Sequence, residues 1–262
     1  MLKLLVIQKF KSYFTFLLKS TNEHGVHSPF VFNLVTQCFY AITNLEQISS
    51  FLSYKKELIF NKEKIIITDF GAGSNYFKGN ERLISAIAKN AGISTKRALF
   101  LIRLVQYFKP KNILELGTSL GLSTYCLHLG NPKASIQTLE GCIETSKVAR
   151  TQFDKFKFYP TLTIGNFKET LPFALQNKTF DFIYIDGNHQ KEATISYFEQ
   201  CLKSINNDSI IIFDDIHWSK GMEEAWEIIQ KNPLVTVSID TYQWGIIFFR
   251  KEQEKEHFII RI

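Results

Sequence analysis

The feature that most constrains the fold is a series of short apolar stretches that alternate with helical stretches after residue 95. The runs "FIYI" and "IIIF" are apolar at every position, which is typical of strands that are covered on both faces. Strands that alternate with helices pair in parallel, and the helices pack on both sides of the sheet. The predicted parallel strands span residues 112–117, 135–140, 161–165, 180–186 and 209–215.

Two more predicted strands, 235–240 and 244–250, follow along the chain. Only three residues separate them, which is too few for a crossover, so we expect this pair to be antiparallel. The predicted fold is therefore α/β: a Rossmann-like seven-stranded, mostly parallel sheet with a C-terminal antiparallel hairpin. The tail after residue 250 is expected either to fray or to add an edge strand.

The chain changes character near residue 95, because the elements predicted before it follow no regular alternation. We predict an N-terminal helical extension and lid over residues 1–94 and an α/β domain over residues 95–262. The first twenty residues read as an amphipathic basic helix, in which Lys3, Lys9 and Lys11 interrupt the apolar run. This pattern favours docking on the protein itself over attachment to a membrane surface.

Charge and cysteine content argue against several classes of function. The 262 residues carry a net charge of +6 without any run of five basic residues, so we do not expect a nucleic-acid-binding surface. The four cysteines are far apart and form no CxxC pair, which argues against a zinc site and a disulfide framework. The composition predicts a cytoplasmic protein in a reducing compartment.

Acidic residues stand at the carboxyl ends of four of the five predicted parallel strands. They are Glu115, Glu140, Asp186 and the pair Asp214 and Asp215. In open α/β sheets, ligands bind beyond the carboxyl ends of the strands. The sequence therefore predicts that these carboxylates share the edge of the sheet at which a ligand binds.

The stretch "ILELGTSLG", residues 113–121, narrows the choice of ligand. It lacks the middle glycine of the dinucleotide motif GxGxxG, and Glu115 would repel a phosphate at this turn. An acid here favours an amine, while Glu140, 25 residues later, can accept both hydroxyls of a ribose. An amine and a ribose without a phosphate describe S-adenosylmethionine rather than NAD. The alternative is a glycine turn that serves packing alone.

Four stretches, "ILELGTSLGLSTYCL", "TLEG", "FDFIYIDGNH" and "IIIFDDIHW", resemble the motifs of class I S-adenosylmethionine-dependent methyltransferases. The nearest resemblance is to the small-molecule O-methyltransferases, the group that includes catechol O-methyltransferase, and it covers residues 95–250. The resemblance implies that Asn166 hydrogen-bonds the adenine and that Phe167 stacks on it, although Phe167 could instead be a core aromatic residue. The full set of cofactor-binding residues expected is Glu115, Gly117, Thr118, Ser119, Gly121, Ser123, Glu140, Gly141, Asn166, Phe167 and Asp186.

Methyl transfer to a hydroxyl requires the acceptor to lose its proton, and the sequence offers two devices for this step. One is a divalent cation such as Mg²⁺ or Mn²⁺, for which the resemblance implies the ligands Asp186, Asp214 and Asp215. Asp215 departs from that pattern, because the metal-dependent members have an asparagine at the matching position. The other device is a histidine base, either His189 or His217. The predicted catalytic residues are Asp186, His189, Asp214 and His217.

Three other features of the sequence can each be interpreted in two ways. Ser28 and Pro29 in "HGVHSPFVF" are a good helix start, and the flanking histidines could alternatively belong to a substrate lid. The "DFGAGSN" stretch, within residues 65–75, is either a loop that covers the cofactor or substrate or a purely structural loop. Trp218 and Trp244 either wall an acceptor pocket or belong to the core.

The predicted function is O-methylation of a small hydroxylated molecule by S-adenosylmethionine. An RNA methyltransferase and a non-catalytic S-adenosylmethionine-binding protein are the alternatives. Neither nucleic acid nor a membrane is an expected partner. The sequence is also compatible with a homodimer.

Overall fold

A computed structural model describes residues 2–71, 73 and 79–262, with the side chains of residues 2–10 outside the description. The helices are α1 Leu2–Lys19, α2 Pro29–Leu34, α3 Leu45–Phe60, α4 Ile84–Asn90, α5 Thr95–Phe108, α6 Leu122–Gly130, α7 Ile143–Lys155, α8 Phe167–Leu175, α9 Lys191–Cys201 and α10 Lys220–Lys231. The strands are β1 Lys64–Ile66, β2 Glu81–Leu83, β3 Asn112–Leu116, β4 Ser135–Glu140, β5 Thr161–Ile164, β6 Phe182–Ile185, β7 Ile210–Asp214, β8 Val237–Asp240, β9 Trp244–Phe248 and β10 Glu256–Ile259.

The chain divides into two compact units. The first unit comprises Met1–Tyr40 and Leu175–Ile262, and the second comprises Ala41–Ala174. The boundary predicted near residue 95 marks a change in sequence pattern and stays a prediction, since residues on both sides of it lie in the second unit.

In the second unit, β3, β4 and β5 pair in parallel, as the sequence predicts. The helix α5 before them begins at Ser94, whose hydroxyl accepts a hydrogen bond from the Arg97 N–H at 3.4 Å. It ends at Lys109 in a left-handed conformation (φ 48°), directly before Pro110. A separate antiparallel pair, β1 and β2, lies in the region that had no clear sequence pattern.

In the first unit, β6 and β7 are parallel, while β9 is antiparallel to both β7 and β8. The predicted C-terminal hairpin is therefore confirmed. Over the described residues, the main sheet has eight strands rather than the seven predicted, because β10 from the tail pairs in parallel with β8. Of the two outcomes expected for the tail, the edge strand is the one that forms.

Within the first unit, the N-terminal helix α1 packs on the C-terminal part of the chain through Phe16, which is buried. The ring of Phe16 and that of Tyr13 lie 5.4 Å and 4.8 Å from the Tyr242 ring. Ser28 and Pro29 start α2 as predicted, although the Ser28 hydroxyl makes no capping hydrogen bond. None of the helices in the described part of the chain combines the length and hydropathy that crossing a membrane requires.

Candidate functional site

Glu115 in β3 is a fully buried carboxylate in the second unit. Its Oε2 accepts hydrogen bonds from the Thr124 and Thr138 hydroxyls, each at 2.6 Å. Its Oε1 has no hydrogen-bond partner among the described residues. Buried polar atoms are nearly always paired, so an oxygen left without a donor marks a place where a ligand can supply one.

Burial raises the pKa of Glu115 to about 7, from an ordinary value of 4.5. The nearby hydroxyls of Ser123, Thr124 and Thr138 oppose this rise, and the Glu140 charge adds to it. A ligand ammonium group at Oε1 would supply the missing donor and a compensating charge. The residues present therefore fit the amine predicted from the sequence.

The glycine turn after β3 departs from ordinary backbone geometry at three of five positions. Gly117 and Gly121 have φ values of 104° and 79°, and Ser119 has a φ of 49°. A Cβ atom on Gly121 would lie 2.4 Å from the Tyr54 Oη and 2.6 Å from the Phe153 ring. Glycine is therefore required at 121 both for its backbone conformation and for the space beside these rings.

Glu140, at the end of β4, links the glycine turn to its own loop. Its Oε2 accepts from the Ser119 N–H at 2.6 Å, and its Oε1 accepts from the Cys142 N–H at 2.8 Å. Burial raises its pKa, against the lowering effect of these N–H groups. Each carboxylate oxygen has two acceptor sites, so ribose hydroxyls could still bind here. The ribose-binding role of Glu140 stays a prediction.

Other predicted cofactor residues also lie in the second unit. The Thr118 and Thr138 hydroxyls are 2.5 Å apart, which extends the hydrogen-bonded chain that begins at Glu115. Asn166 caps α8, since its Oδ1 accepts from the Lys168 N–H at 3.0 Å. Phe167 is the first residue of that helix, and both Asn166 and Phe167 are partly exposed. Their roles at the adenine stay predictions.

The first unit contains the residues predicted to act on the acceptor. The His189 Nε2 lies 3.6 Å from the Asp186 Oδ1. Asn188 and His189 both have left-handed backbone conformations, with φ values of 72° and 47°. Two such residues in succession are costly unless neighbours hold them, and the Asn188 amide does donate to the Tyr197 Oη at 3.0 Å. Strained loops of this kind cluster at functional sites.

The metal-binding role of Asp186, Asp214 and Asp215 stays a prediction. Asp214 is buried, and its Oδ1 accepts from the Trp244 indole N–H at 2.6 Å. Asp215 has a left-handed backbone conformation with a φ of 53°. Over the described residues, no group of three or more histidine, cysteine, aspartate or glutamate side chains could hold a metal ion. We therefore assign no step of the chemistry to a metal ion.

His217 is held between two carboxylates. Its Nδ1 lies 3.0 Å from the Glu223 Oε1, and its Nε2 lies 2.9 Å from the Asp240 Oδ2. The Ser12 hydroxyl contacts the same Nδ1 at 3.1 Å, and the Tyr242 ring stacks on the imidazole. Burial lowers the pKa of His217, but the hydrogen bonds and charges of the two carboxylates outweigh it and raise the pKa. With both ring nitrogens facing carboxylates, His217 is poorly placed to take a proton from an acceptor hydroxyl.

Several residues of the candidate site were not predicted from the sequence. Asp240 ends strand β8, so the strand-end pattern that identified the other acids could have found it. Trp244 lies in the core, where it donates to Asp214, and this settles its alternative interpretations in favour of the core. Tyr54 and Ser12 carry no sequence signal, because their contacts join distant parts of the chain, and Glu223, six residues after His217, stands in no recognised motif.

A mostly parallel sheet, an antiparallel C-terminal pair and a glycine turn between two strand-end acids define the class I methyltransferase fold. Residues 114–216 match the family model described as a methyltransferase domain. These residues therefore match a methyltransferase domain, and the methyltransferase resemblance predicted from the four motifs is confirmed.

Two curated relatives are similar over about half of the chain. A catechol O-methyltransferase from Mycobacterium tuberculosis is 27% identical over 127 residues, which cover 47% of this chain and 56% of that protein. A catechol O-methyltransferase from Niastella koreensis is 30% identical over 129 residues, which cover 47% of this chain and 58% of that protein. The chain therefore spans just over half the length of the curated relatives that it matches.

Solved structures support the fold over most of the chain. The S-adenosylhomocysteine-bound methyltransferase PaMTH1 from Podospora anserina aligns with a TM-score of 0.59 and 15% identity, covering 86% of this chain and 97% of that one. An O-methyltransferase from Bacillus cereus in complex with S-adenosylhomocysteine aligns with a TM-score of 0.55 and 20% identity, covering 81% and 94%. At these identities the similarity establishes the fold alone.

Proposed function

We propose that this protein transfers the methyl group of S-adenosylmethionine to a hydroxyl oxygen of a small molecule. The observation that carries the proposal is the buried Glu115 carboxylate, which has one oxygen without a partner beside a strained glycine turn. An ammonium group with an attached nucleoside would satisfy this oxygen and also reach a ribose-binding acid. The O-methyltransferase names of the curated relatives support the oxygen acceptor.

The second unit supplies the residues that would bind the cofactor. S-adenosylmethionine, when bound, supplies an electrophilic methyl group on a sulfonium ion. The Glu115 Oε1 would accept the ammonium protons, Glu140 the ribose hydroxyls, and Asn166 with Phe167 would flank the adenine. The glycine turn would position the methionine part, because its backbone is held through Ser119 on the Glu140 carboxylate.

The first unit supplies the proposed acid–base residue. We assign the general base to His189, because both nitrogens of His217 already face carboxylates. The Asp186 carboxylate, 3.6 Å from the His189 Nε2, would stabilise the imidazolium that forms when the acceptor loses its proton. Asp214 and the charged His217 cluster would set the electrostatic environment. The four cysteines are buried and none forms a disulfide in the described part of the chain, which agrees with a reducing cytoplasmic location, and we include this location in the proposal.

A calorimetric titration with S-adenosylhomocysteine tests the cofactor half of the proposal. We expect micromolar binding by the wild type and at least a tenfold loss in Glu140→Ala, since ribose hydroxyls would lose their acceptor. Glu169→Ala on the exposed face of α8 is the matched control and should bind as the wild type does. Absence of binding by the wild type, or unchanged binding by Glu140→Ala, would contradict the cofactor assignment.

Transfer of labelled methyl groups to a panel of catechols, phenols and short RNAs tests the acceptor half. His189→Gln should lower kcat by at least a hundredfold and leave S-adenosylhomocysteine binding unchanged, because it removes only the base. We expect activity with the hydroxylated small molecules. Transfer to RNA alone would refute the small-molecule acceptor, and binding without any transfer would indicate a non-catalytic module.

A further inference from the structure

Residues 67–71, which we call the strap, lie directly after β1 and contact the loop that follows Glu140. The Ile67 side chain is buried, and its N–H donates to the Asn80 carbonyl at 2.8 Å. The Thr68 N–H approaches the Cys142 Sγ at 3.4 Å, so the strap is hydrogen-bonded to the loop after β4. The strap is therefore attached at the loop that carries the proposed ribose-binding acid.

Phe70 packs directly on Gly141, the residue bonded to Glu140. A Cβ atom built on Gly141 would lie 2.8 Å from the Phe70 Cδ2 and 3.1 Å from its Cε2. Gly141 has no left-handed φ, so glycine is needed here for space rather than for backbone conformation. The absence of a side chain at 141 is thus what lets the Phe70 ring approach the backbone beside Glu140.

The Phe70 ring is fixed in place yet remains half exposed, at 49%. Asp69 fixes the turn around it, since its Oδ1 accepts from the Gly71 N–H at 2.9 Å and its Oδ2 lies 3.9 Å from the Arg82 guanidinium. A ring that served packing alone would gain more from full burial. A positioned aromatic ring with an open face offers a stacking surface to a planar ligand.

We propose that Phe70 forms one wall of the adenosine pocket and packs against the purine of the cofactor, an inference that rests on the proposed function. Glu140 would hold the ribose, and the purine is bonded to that same ribose. The Phe70 ring packs on Gly141, which follows Glu140 in the chain, so the ring is within reach of the purine. The contact comes from the segment before residue 95, outside the residues that match the methyltransferase family model.

Binding of S-adenosylhomocysteine and of adenosine alone, measured by calorimetry, tests the proposal. Phe70→Ala should weaken the binding of both ligands by about tenfold, because it removes the stacking of the base on the ring. Phe70→Tyr should bind as the wild type does. The matched control is Phe173→Ala, which removes an aromatic ring that is 75% exposed on α8 and should leave both affinities unchanged.

Gly141→Ala provides an independent test through the same contact. The added methyl group displaces the Phe70 ring, so we expect weaker binding in the wild-type background. In the Phe70→Ala background the methyl group meets no ring, and the substitution should cost clearly less. Equal losses in the two backgrounds would show that the ring and the glycine do not act together.

Phe70→Trp gives a direct readout that does not require truncating the ring. We expect its additional fluorescence, relative to the wild type, to shift on adding S-adenosylhomocysteine. Suppose that the wild type binds this ligand, that Phe70→Ala binds it with unchanged affinity, and that the fluorescence of Phe70→Trp does not shift. The Phe70 proposal is then overturned and the proposed function stands. If the wild type itself does not bind, the proposed function fails, and the Phe70 proposal fails with it.

Discussion

The buried Glu115 makes the stability of this protein depend on pH in a way that one substitution should remove. Its pKa is raised from 4.5 to about 7 by burial. The unfolded chain therefore loses this proton at a lower pH than the native protein does. The contribution to stability is fully present below pH 4.5 and is lost as the pH rises to about 7. At about 1.4 kcal/mol for each pH unit, the loss amounts to about 3 kcal/mol.

Glu115→Gln should abolish this dependence, because an amide of the same shape stays neutral at every pH and its oxygen can still accept from Thr124 and Thr138. We expect the free energy of unfolding of the variant, relative to the wild type, to rise by about 2–3 kcal/mol between pH 5 and pH 8. Any fixed cost of the new amide is the same at every pH and does not affect this difference. Urea denaturation at four pH values measures it.

The control for this experiment is Glu169→Gln, the same chemical change at an exposed position of α8. Its stability relative to the wild type should be constant across the same pH range. If the Glu115→Gln difference is equally constant, Glu115 titrates normally and the reasoning from its burial is wrong. Saturating S-adenosylhomocysteine should also reduce the pH dependence of the wild type, because an ammonium group at Oε1 favours the ionised carboxylate.

Three further substitutions test other contacts. Gly121→Ala should lower the free energy of unfolding by about 2 kcal/mol or more, as measured with urea, because it combines a left-handed φ with a clash against buried rings. Trp244→Phe removes the indole N–H from the buried Asp214 and should cost about 1–3 kcal/mol in the same assay, whereas a neutral effect would contradict the importance of that bond. The paired carboxylates raise the pKa of His217, so their stabilisation is present below pH 6.5 and is lost above the raised pKa. Asp240→Asn should therefore lower the melting temperature more at pH 6 than at pH 9, and an equal effect would count against a charged His217.

The order of strands and helices after residue 95 could be predicted because short strand-like stretches alternate there with helical ones, and two of them, "FIYI" and "IIIF", are apolar throughout. The β4 bounds are predicted to the residue, and the other strands of this region shift by one or two residues at their ends. The strand β10 was harder to predict, since only four residues of a charged tail pair with β8. An edge strand needs an apolar pattern on one face only, and four residues are too few to show it.

The sequence could predict which acids stand near the carboxyl ends of strands, but not which hydrogen-bond partners each carboxylate has. Glu115 and Glu140 both stand near the carboxyl end of a strand, yet one carboxylate oxygen of Glu115 lacks a partner among the described residues and both oxygens of Glu140 accept N–H groups. The difference depends on which hydroxyls and amides other elements bring close. The same holds for the two histidines. His189 and His217 both follow strand-end aspartates, but His217 has a carboxylate at each of its ring nitrogens.

Residues before position 95 contribute to the proposed cofactor site, although the strand–helix alternation begins only after that position. The Tyr54 Oη donates to the Leu120 carbonyl inside the glycine turn at 3.0 Å, and Phe70 packs beside Glu140 through Gly141. Both contacts come from residues that no strand–helix alternation marks, because a single ring on an irregular segment leaves no periodic signal. The turn and the acid are the parts that the sequence reveals, whereas Tyr54 and Phe70, which contact them, lie outside the residues that match the family model. A fragment beginning at residue 95 would therefore keep every cofactor motif and lose two of the contacts that shape the proposed site.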